Sequence, residues 1–328
     1  MKKIIILLCA FIIIACVALI FTHKKDDKDL KHIKIAEVTH SIFYTPMYLS
    51  DALGYFEDEG LDVEIILTSG ADNVAAAVLS GDVQIGFCGS EQSIYIYNEG
   101  AKDYLINFAG LTKRDGSFLV SREKEENFKI ENLIGKTIIG GRQGGMPAMT
   151  LAYTLNENGI SQNDAIIDTS IAFASMSGAF IGGTGDYVTL FEPNASQLER
   201  LGYGHIVASV GEMGGVVPYT AFNAKKSYIE NNKDVIEGFT KAIQKGLDYT
   251  FNHSDEEIAE IIEDYFPDVS HNELVNTIKN YRSIDSWFKT TYITEDGFNH
   301  IQDIMEYNKV LEKKAPYKKL VDNTYSHE

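Results

Sequence analysis

The sequence predicts an α/β protein of two lobes, each a mostly parallel sheet flanked by helices, with two hinge crossings between them. Three observations carry this expectation. At 328 residues the chain exceeds the usual span of one hydrophobic core. From residue 33 onward, strand-like and helix-like segments alternate with regularity. Two breaks, Lys113-Arg114-Asp115-Gly116 and Gly211-Glu212-Met213-Gly214-Gly215, interrupt that rhythm, so the chain is expected to leave one lobe, build a second and return. The expected division is 33–114 with 216–328 for the first lobe and 115–215 for the second.

Residues 1–23 stand apart from the fold. Met1, Lys2 and Lys3 precede Ile4–Phe21, which carry no charge, and His23, Lys24 and Lys25 follow. This is a membrane-targeting segment: a signal or lipoprotein leader, or an N-terminal anchor. Ile13-Ile14-Ala15-Cys16 resembles a bacterial lipobox, which would make Cys16 a lipidation site. The apolar run continues through Val17–Phe21 to 18 residues, enough to cross a bilayer uncleaved. Both readings leave the rest of the chain extracytoplasmic and attached to the outer face of the cytoplasmic membrane. Residues 24–32, with the run KKDDKDLK, form a charged tether.

The first lobe opens with a strand over Ile33–Val38. Thr45 is expected to cap a helix with Pro46 in its first turn, where proline sacrifices no hydrogen bond, and Gly54 stops it. Leu61–Leu67 is a strand, Asp72 opens a helix closed by Gly81, and Val83–Cys88 is the third strand. Ser90 caps a helix stopped by Gly100, and Tyr104–Leu111 is the fourth strand, completing a βαβαβαβ series. The second lobe contains strands at Phe118–Ser121, Lys136–Ile139, Ile166–Thr169, Tyr187–Phe191 and His205–Val210, with a helix over Pro147–Asn158. Val217–Phe222 returns as a strand. Apolar residues at three-to-four spacing then mark helices over Asp234–Phe251, Asp255–Tyr265, Asn272–Tyr281 and Glu295–Val310.

Composition excludes several functions. A net charge of −18 with no basic stripe argues against a nucleic-acid partner. Cys9 and Cys16 lie in the leader, so Cys88 alone remains for the folded part. That rules out a disulfide framework or a thiolate metal site, and no cofactor is expected. The eight histidines are scattered, and neither H-E-x-x-H nor G-x-S-x-G occurs, so the chain is not expected to be an enzyme.

The run HSIFYTPMYLSDALGYFEDEGLDVEI, residues 40–65, resembles the start of the ABC-transporter substrate-binding proteins of the nitrate, sulfonate, taurine and thiamine-pyrimidine-precursor group. Gly54-Tyr55-Phe56, Glu59-Gly60-Leu61-Asp62-Val63-Glu64, Ser80-Gly81-Asp82-Val83-Gln84-Ile85-Gly86, Leu133-Ile134-Gly135-Lys136 and Phe191-Glu192-Pro193 match that pattern in order. The resemblance implies a periplasmic-binding-protein fold of the second type. It further implies a small solute, a sulfonate or a pyrimidine-type thiamine precursor, captured between lobes and handed to an ABC permease and its ATPase. The related pyrimidine synthases carry a cysteine-rich motif absent here, which disfavours an enzyme on the same fold. A membrane-anchored sensor is the remaining alternative.

In open α/β sheets, ligands bind beyond the carboxyl ends of the strands. Four loops occupy such positions. In the first, Thr39 and His40 supply polar anchors, while Phe43 and Tyr44 either stack on a ligand ring or pack the loop onto the sheet. Gly70, before Asp72, opens a helix whose N–H groups serve a ligand or simply need a cap. Gly89, Ser90, Glu91 and Gln92 offer close backbone approach, a hydroxyl, an acceptor and an amide, though capping alone would explain Ser90. From the second lobe, the glycines around Arg142, Gln143 and Gly144 form either an anion cradle or a flexible connection. Glu192 reaches the same cleft from the second lobe. Arg142 favours an anion, whereas Glu91 and Glu192 suit an amine or a protonatable ring; the mixed set favours a heterocycle over bare nitrate.

Overall fold

A computed structural model describes residues 30–68 and 70–327. The leader, Cys16 and most of the tether lie outside the described residues. Ten strands are present among them: β1 Lys31–Glu37, β2 Leu61–Leu67, β3 Ile85–Cys88, β4 Leu105–Thr112, β5 Ser117–Ser121, β6 Thr137–Ile139, β7 Ile166–Asp168, β8 Tyr187–Phe191, β9 His205–Ser209 and β10 Thr220–Lys225. They form two five-stranded sheets, ordered β2-β1-β3-β10-β4 and β7-β6-β8-β5-β9. Strands before the first break and after the second build one sheet; the strands between build the other.

Each sheet contains one strand that runs against the rest. In the first, β1, β2 and β3 pair in parallel, and β10 lies antiparallel between β3 and β4. In the second, β6, β7 and β8 are parallel and β5 is antiparallel to both β8 and β9. The unbroken parallel βαβαβαβ order is therefore corrected: β4 does not border β3. The cause is geometric. β4 ends at the crossing and β5 starts there, so β5 must run away from the rim toward which its neighbours point. β10 re-enters the first sheet under the same constraint. The carboxyl ends of the other eight strands consequently face one seam.

The two crossings run side by side. Val217 and Tyr219 donate their backbone N–H groups to the carbonyls of Lys113 and Thr112 at 3.0 and 2.9 Å. Pro218 lacks such a donor, and β10 begins only at Thr220, later than the pattern of apolar residues suggested. The second break is not a flexible link. Val210–Gly214 forms a helical turn whose start is capped by the Ser209 hydroxyl, accepting from Glu212 N at 3.2 Å. A Cβ on Gly211 would collide with the Asp115 carbonyl of the other crossing, so only glycine fits.

Other local expectations shift for identifiable reasons. Thr45 lies inside its helix, Thr45–Ala52, and donates Oγ1 to the Ile42 carbonyl at 2.6 Å; a 3-10 turn over Ile42–Tyr44, capped by Ser41, comes first. β1 starts at Lys31, inside the expected tether, because Lys31 N bonds to the Gly60 carbonyl. Ser90 has helical backbone angles and gives its hydroxyl to the Pro218 carbonyl at 2.6 Å instead of capping.

One apolar cluster runs through both sheets, from Ile35 and Phe87 to Phe118 and Val188. On the first sheet, the helix Lys233–Asn252 closes tightly on Thr45–Ala52. A Cβ at Gly246 would strike the Pro46 carbonyl and Ser50 Oγ, and Ser50 Oγ already bonds to Pro46 O and Ala242 O at 2.9 Å each. Gly246→Ala is expected to destabilise the fold by about 1–3 kcal/mol in urea unfolding, through overpacking that backbone atoms cannot relieve.

Candidate functional site

The loop after β1 enters the seam first. Phe43 is buried, its ring 4.8 Å from Tyr281, 5.8 Å from Phe191 at the end of β8, and 6.2 Å from Tyr219. Trp287 Nε1 donates to the Phe43 carbonyl at 2.8 Å. Phe43 thus joins both sheets, and Gly116 on the first crossing leaves room for it: a Cβ there would lie 2.8 Å from the ring. Tyr44, also buried, packs edge-on against Phe87 at 4.5 Å. Thr39 is exposed. His40 anchors the loop: Nδ1 lies 2.9 Å from Glu37 Oε1, Nε2 lies 2.8 Å from the Tyr265 carbonyl, and the ring stacks on Phe266. The hydrogen bond with Glu37 raises the His40 pKa, so the imidazolium form can donate at both nitrogens.

Glu91 begins the helix Glu91–Asn98, directly after β3. It is only 3 % exposed, and its carboxylate folds back over Gly89, where any Cβ would collide with it. Gln92 Nε2 reaches Oε1 at 3.3 Å, while Oε2 has no hydrogen-bond partner among the described residues. Burial pushes this carboxyl up to about 7.

A second buried acid, missed by sequence reasoning, sits on the first crossing. Asp115 is 1 % exposed; its Oδ1 accepts from Ser117 N at 2.7 Å and Ser117 Oγ at 2.6 Å, and the Tyr219 hydroxyl donates toward its carboxylate. Burial raises its pKa to about 6. Tyr219, just past the second crossing, thereby ties the two crossings together. These groups share one region. Burial first, then the charge of Asp115 and the hydrogen bond to it, with smaller effects from Tyr44 and Glu91, push the Tyr219 phenol well up, and Glu91 also acts on Tyr44. The lone acid in KRDG, followed by glycine at a strand end, was the available signal, obscured because the stretch reads as an ordinary polar link.

The second-sheet residues are placed differently from one another. Arg142 spans the seam, with Nη2 3.2 Å and Nη1 3.3 Å from Oδ1 of Asp72, on the helix Ala71–Ser80 of the opposite lobe. Both side chains are largely exposed. Arg142 also pulls the Glu91 pKa down, a smaller effect than burial. Gln143 and Gly144 line a groove of about 440 Å³ beside Met149, Ile167 and Asn308, whose walls include neither Glu91 nor Asp115. Gly70 has φ 100° and starts the Asp72 helix. Glu192 is occupied within the protein: its carboxylate accepts from Ser196 Oγ at 2.6 Å and Asn280 Nδ2 at 2.5 Å, and its N–H meets the Tyr281 hydroxyl at 3.0 Å. Cys88 is fully buried.

Linkage gives the buried acids a stability signature. Glu91 holds its proton more tightly folded than unfolded, so the folded state is favoured at low pH and loses that advantage as pH rises from 4.5 through about 7. Glu91→Gln is therefore expected to match the wild type near the lower limit. By pH 8 it is expected to be more stable by up to about 3 kcal/mol in denaturant titrations. A difference between the two proteins that does not vary with pH would contradict this assignment.

Known proteins resemble this chain in sequence and in fold. A Bacillus subtilis (strain 168) chain named "Putative binding protein YtlA" is 44% identical over 314 residues, covering 94% of each chain. A Candida albicans (strain WO-1) 4-amino-5-hydroxymethyl-2-methylpyrimidine phosphate synthase is 24% identical over 234 residues, 66% of each chain. The fold matches the alkanesulfonate-binding protein SsuA of Xanthomonas axonopodis pv. citri bound to MOPS. That likeness has a TM-score of 0.70 at 14% identity, covering 90% of this chain and 99% of that one. The family model "NMT1/THI5 like" matches residues 42–257, most of the described fold. The chain belongs to the NMT1/THI5-like family, with the two-lobed fold of ABC-importer periplasmic binding proteins.

Proposed function

We propose that the chain is the extracytoplasmic solute-binding protein of an ABC importer. It captures a small organic solute at the seam by closure of the two lobes and delivers it to a membrane permease. Residues 1–23 would hold it at the outer face of the membrane; among the described residues, no helix is long and apolar enough to cross one. The observation that carries the reading is Glu91: a buried carboxylate with an unpartnered oxygen, at the carboxyl end of β3, where solutes of such folds enter. The same residue selects between solute classes. A sulfonate would set like charge against Glu91, and Arg142, the cation whose charge acts on Glu91, is paired with Asp72. A pyrimidine-type nitrogen heterocycle supplies the N–H donors that Glu91 lacks. Phe43, Tyr44 and Tyr219 bring mutually packed aromatic rings to the seam, a character suited to a flat ring.

Turnover is not part of this reading. The synthase among the relatives is matched over two thirds of its length, and the chain lacks the cysteine-rich motif of that group.

Trp287, the single tryptophan, is hydrogen-bonded to the Phe43 loop, so its emission reports closure. Calorimetry and fluorescence are expected to show binding of 4-amino-5-hydroxymethyl-2-methylpyrimidine and none of MOPS. Glu91→Gln should weaken the pyrimidine by about 1.5–3 kcal/mol, the cost of losing a hydrogen bond to a charged group. Arg142→Ala should change affinity by no more than about 1 kcal/mol, as an exposed ion pair allows. Binding of MOPS with no response to the pyrimidine would overturn the solute assignment, and conversion of the pyrimidine to a new product would overturn the binding-protein reading.

A further inference from the structure

The loop that brings Phe43 and Tyr44 to the seam is pinned at its start by one imidazole set among acceptors. His40 Nδ1 lies 2.9 Å from Glu37 Oε1 and 3.0 Å from the Tyr48 hydroxyl oxygen, and Nε2 lies 2.8 Å from the Tyr265 carbonyl. Tyr48 has no hydrogen to offer Nδ1, because its hydroxyl donates to Glu37 Oε2 at 2.6 Å. The Glu37 side chain is 3 % exposed, whereas the imidazole is 39 % exposed and can exchange protons with water. His40 is also the one cationic partner of Glu37 among the described residues. A neutral imidazole has a single N–H and cannot serve both sides. With the hydrogen on Nε2, a lone pair would face the buried carboxylate; with it on Nδ1, a lone pair would face the Tyr265 carbonyl. The second arrangement costs less, since the buried charge keeps its donor. Deprotonation therefore breaks the contact with Tyr265 first. Tyr265 ends the 3-10 turn Glu263–Tyr265, and the next residue, Phe266, stacks on the imidazole at 4.7 Å.

Resting on the binding-protein reading above, we infer that His40 is a protonation-dependent positioning residue: its imidazolium ties the seam loop to the turn Glu263–Tyr265, and loss of the proton frees the loop that sets Phe43 and Tyr44 in place. The groups facing the imidazole are Glu37 from β1, Tyr48 from the helix Thr45–Ala52 and the Tyr265 carbonyl from the turn. The Tyr265 phenol is turned away to Asp51 Oδ2 at 2.5 Å, and Glu263 is engaged by His271 at 3.2 Å. The hydrogen bond with Glu37, working against partial burial, raises the imidazole above its ordinary 6.5. The tie is therefore complete below pH 6.5 and is lost as pH rises through the higher folded value. A solute that needs the ordered loop is held more tightly on the acid side of that transition.

His40→Gln is the test, since it removes the titrating ring while leaving an amide able to donate to Glu37. Trp287 Nε1 holds the Phe43 carbonyl, so its emission reads the loop without any solute. In the full-length chain in detergent, the wild type is expected to show a step in that emission above pH 6.5 that the variant lacks. With 4-amino-5-hydroxymethyl-2-methylpyrimidine as the probe, the affinity of the wild type relative to the variant is expected to fall at least threefold between about pH 6 and about pH 9. Glu91 titrates in both proteins, so the ratio isolates His40. A ratio that does not vary with pH makes His40 a structural residue and overturns the inference, as does an emission profile identical in the two proteins. If the variant fails to fold, nitrogen-resolved imidazole spectra of the wild type decide. Two protonated ring nitrogens at about pH 6, one of them lost together with the emission step, support the tie, and a single protonated nitrogen at that pH overturns it. A wild type that shows the emission step but does not bind the pyrimidine overturns the solute assignment and leaves the tie standing.

Discussion

The constraint from which the rest of the structure follows is the side-by-side double crossing. Thr112 and Lys113 are hydrogen-bonded through their carbonyls to Tyr219 and Val217, so the two links between sheets are registered to each other like a short ribbon. Each link meets its sheet at the carboxyl rim, which forces β5 and β10 to run against their neighbours and turns the other strand ends inward. Loops after β1, β3 and β8 then share one seam, and Phe43 fills it from one side to contact Phe191 on the other. The seam is a consequence of topology before it is a consequence of side-chain chemistry.

The seam is held by packing and neutral hydrogen bonds, while the charge of Glu91 is left in tension. Trp287, Tyr281 and Phe43 are fully buried and give rigid walls. Asp115 is compensated by Ser117 and Tyr219, whereas Glu91, removed from water with one oxygen unanswered among the described residues, opposes that stability. Such placement is the pattern of a site in which stability is surrendered for recognition. Glu192 shows the contrast within one region: equally buried, it is fully engaged by Ser196 and Asn280 and ties the second sheet to the helix His271–Ser283. Burial alone does not mark a recognition residue. Burial with an unanswered lone pair does.

Much of the architecture was legible in the sequence, because strict apolar periodicity and glycine stops encode it locally. Leu61–Leu67 and Tyr187–Phe191 are strands to the residue, and Gly81 ends its helix in the left-handed conformation. What escaped were non-local facts. The insertion of β10 between β3 and β4 depends on where a distant segment returns, which no window of sequence contains. The role of Ser90 depends on the Pro218 carbonyl, 128 residues away. Asp115 looked like link chemistry, since KRDG is polar and charged; only the packing of Gly211, Tyr219 and Phe43 around it makes it interior. For the same reason Arg142, read as an anion anchor, meets a carboxylate from the opposite rim.

The central proposal is that the seam holds a donor-rich heterocycle against the carboxylate of Glu91. A crystal structure of the protein loaded with 4-amino-5-hydroxymethyl-2-methylpyrimidine tests it most directly. The account predicts ring density between the two sheets, with a nitrogen atom within hydrogen-bond distance of Glu91 Oε2. Density in the groove beside Gln143 and Met149, or against an Arg142 released from Asp72 with Glu91 untouched, would contradict it.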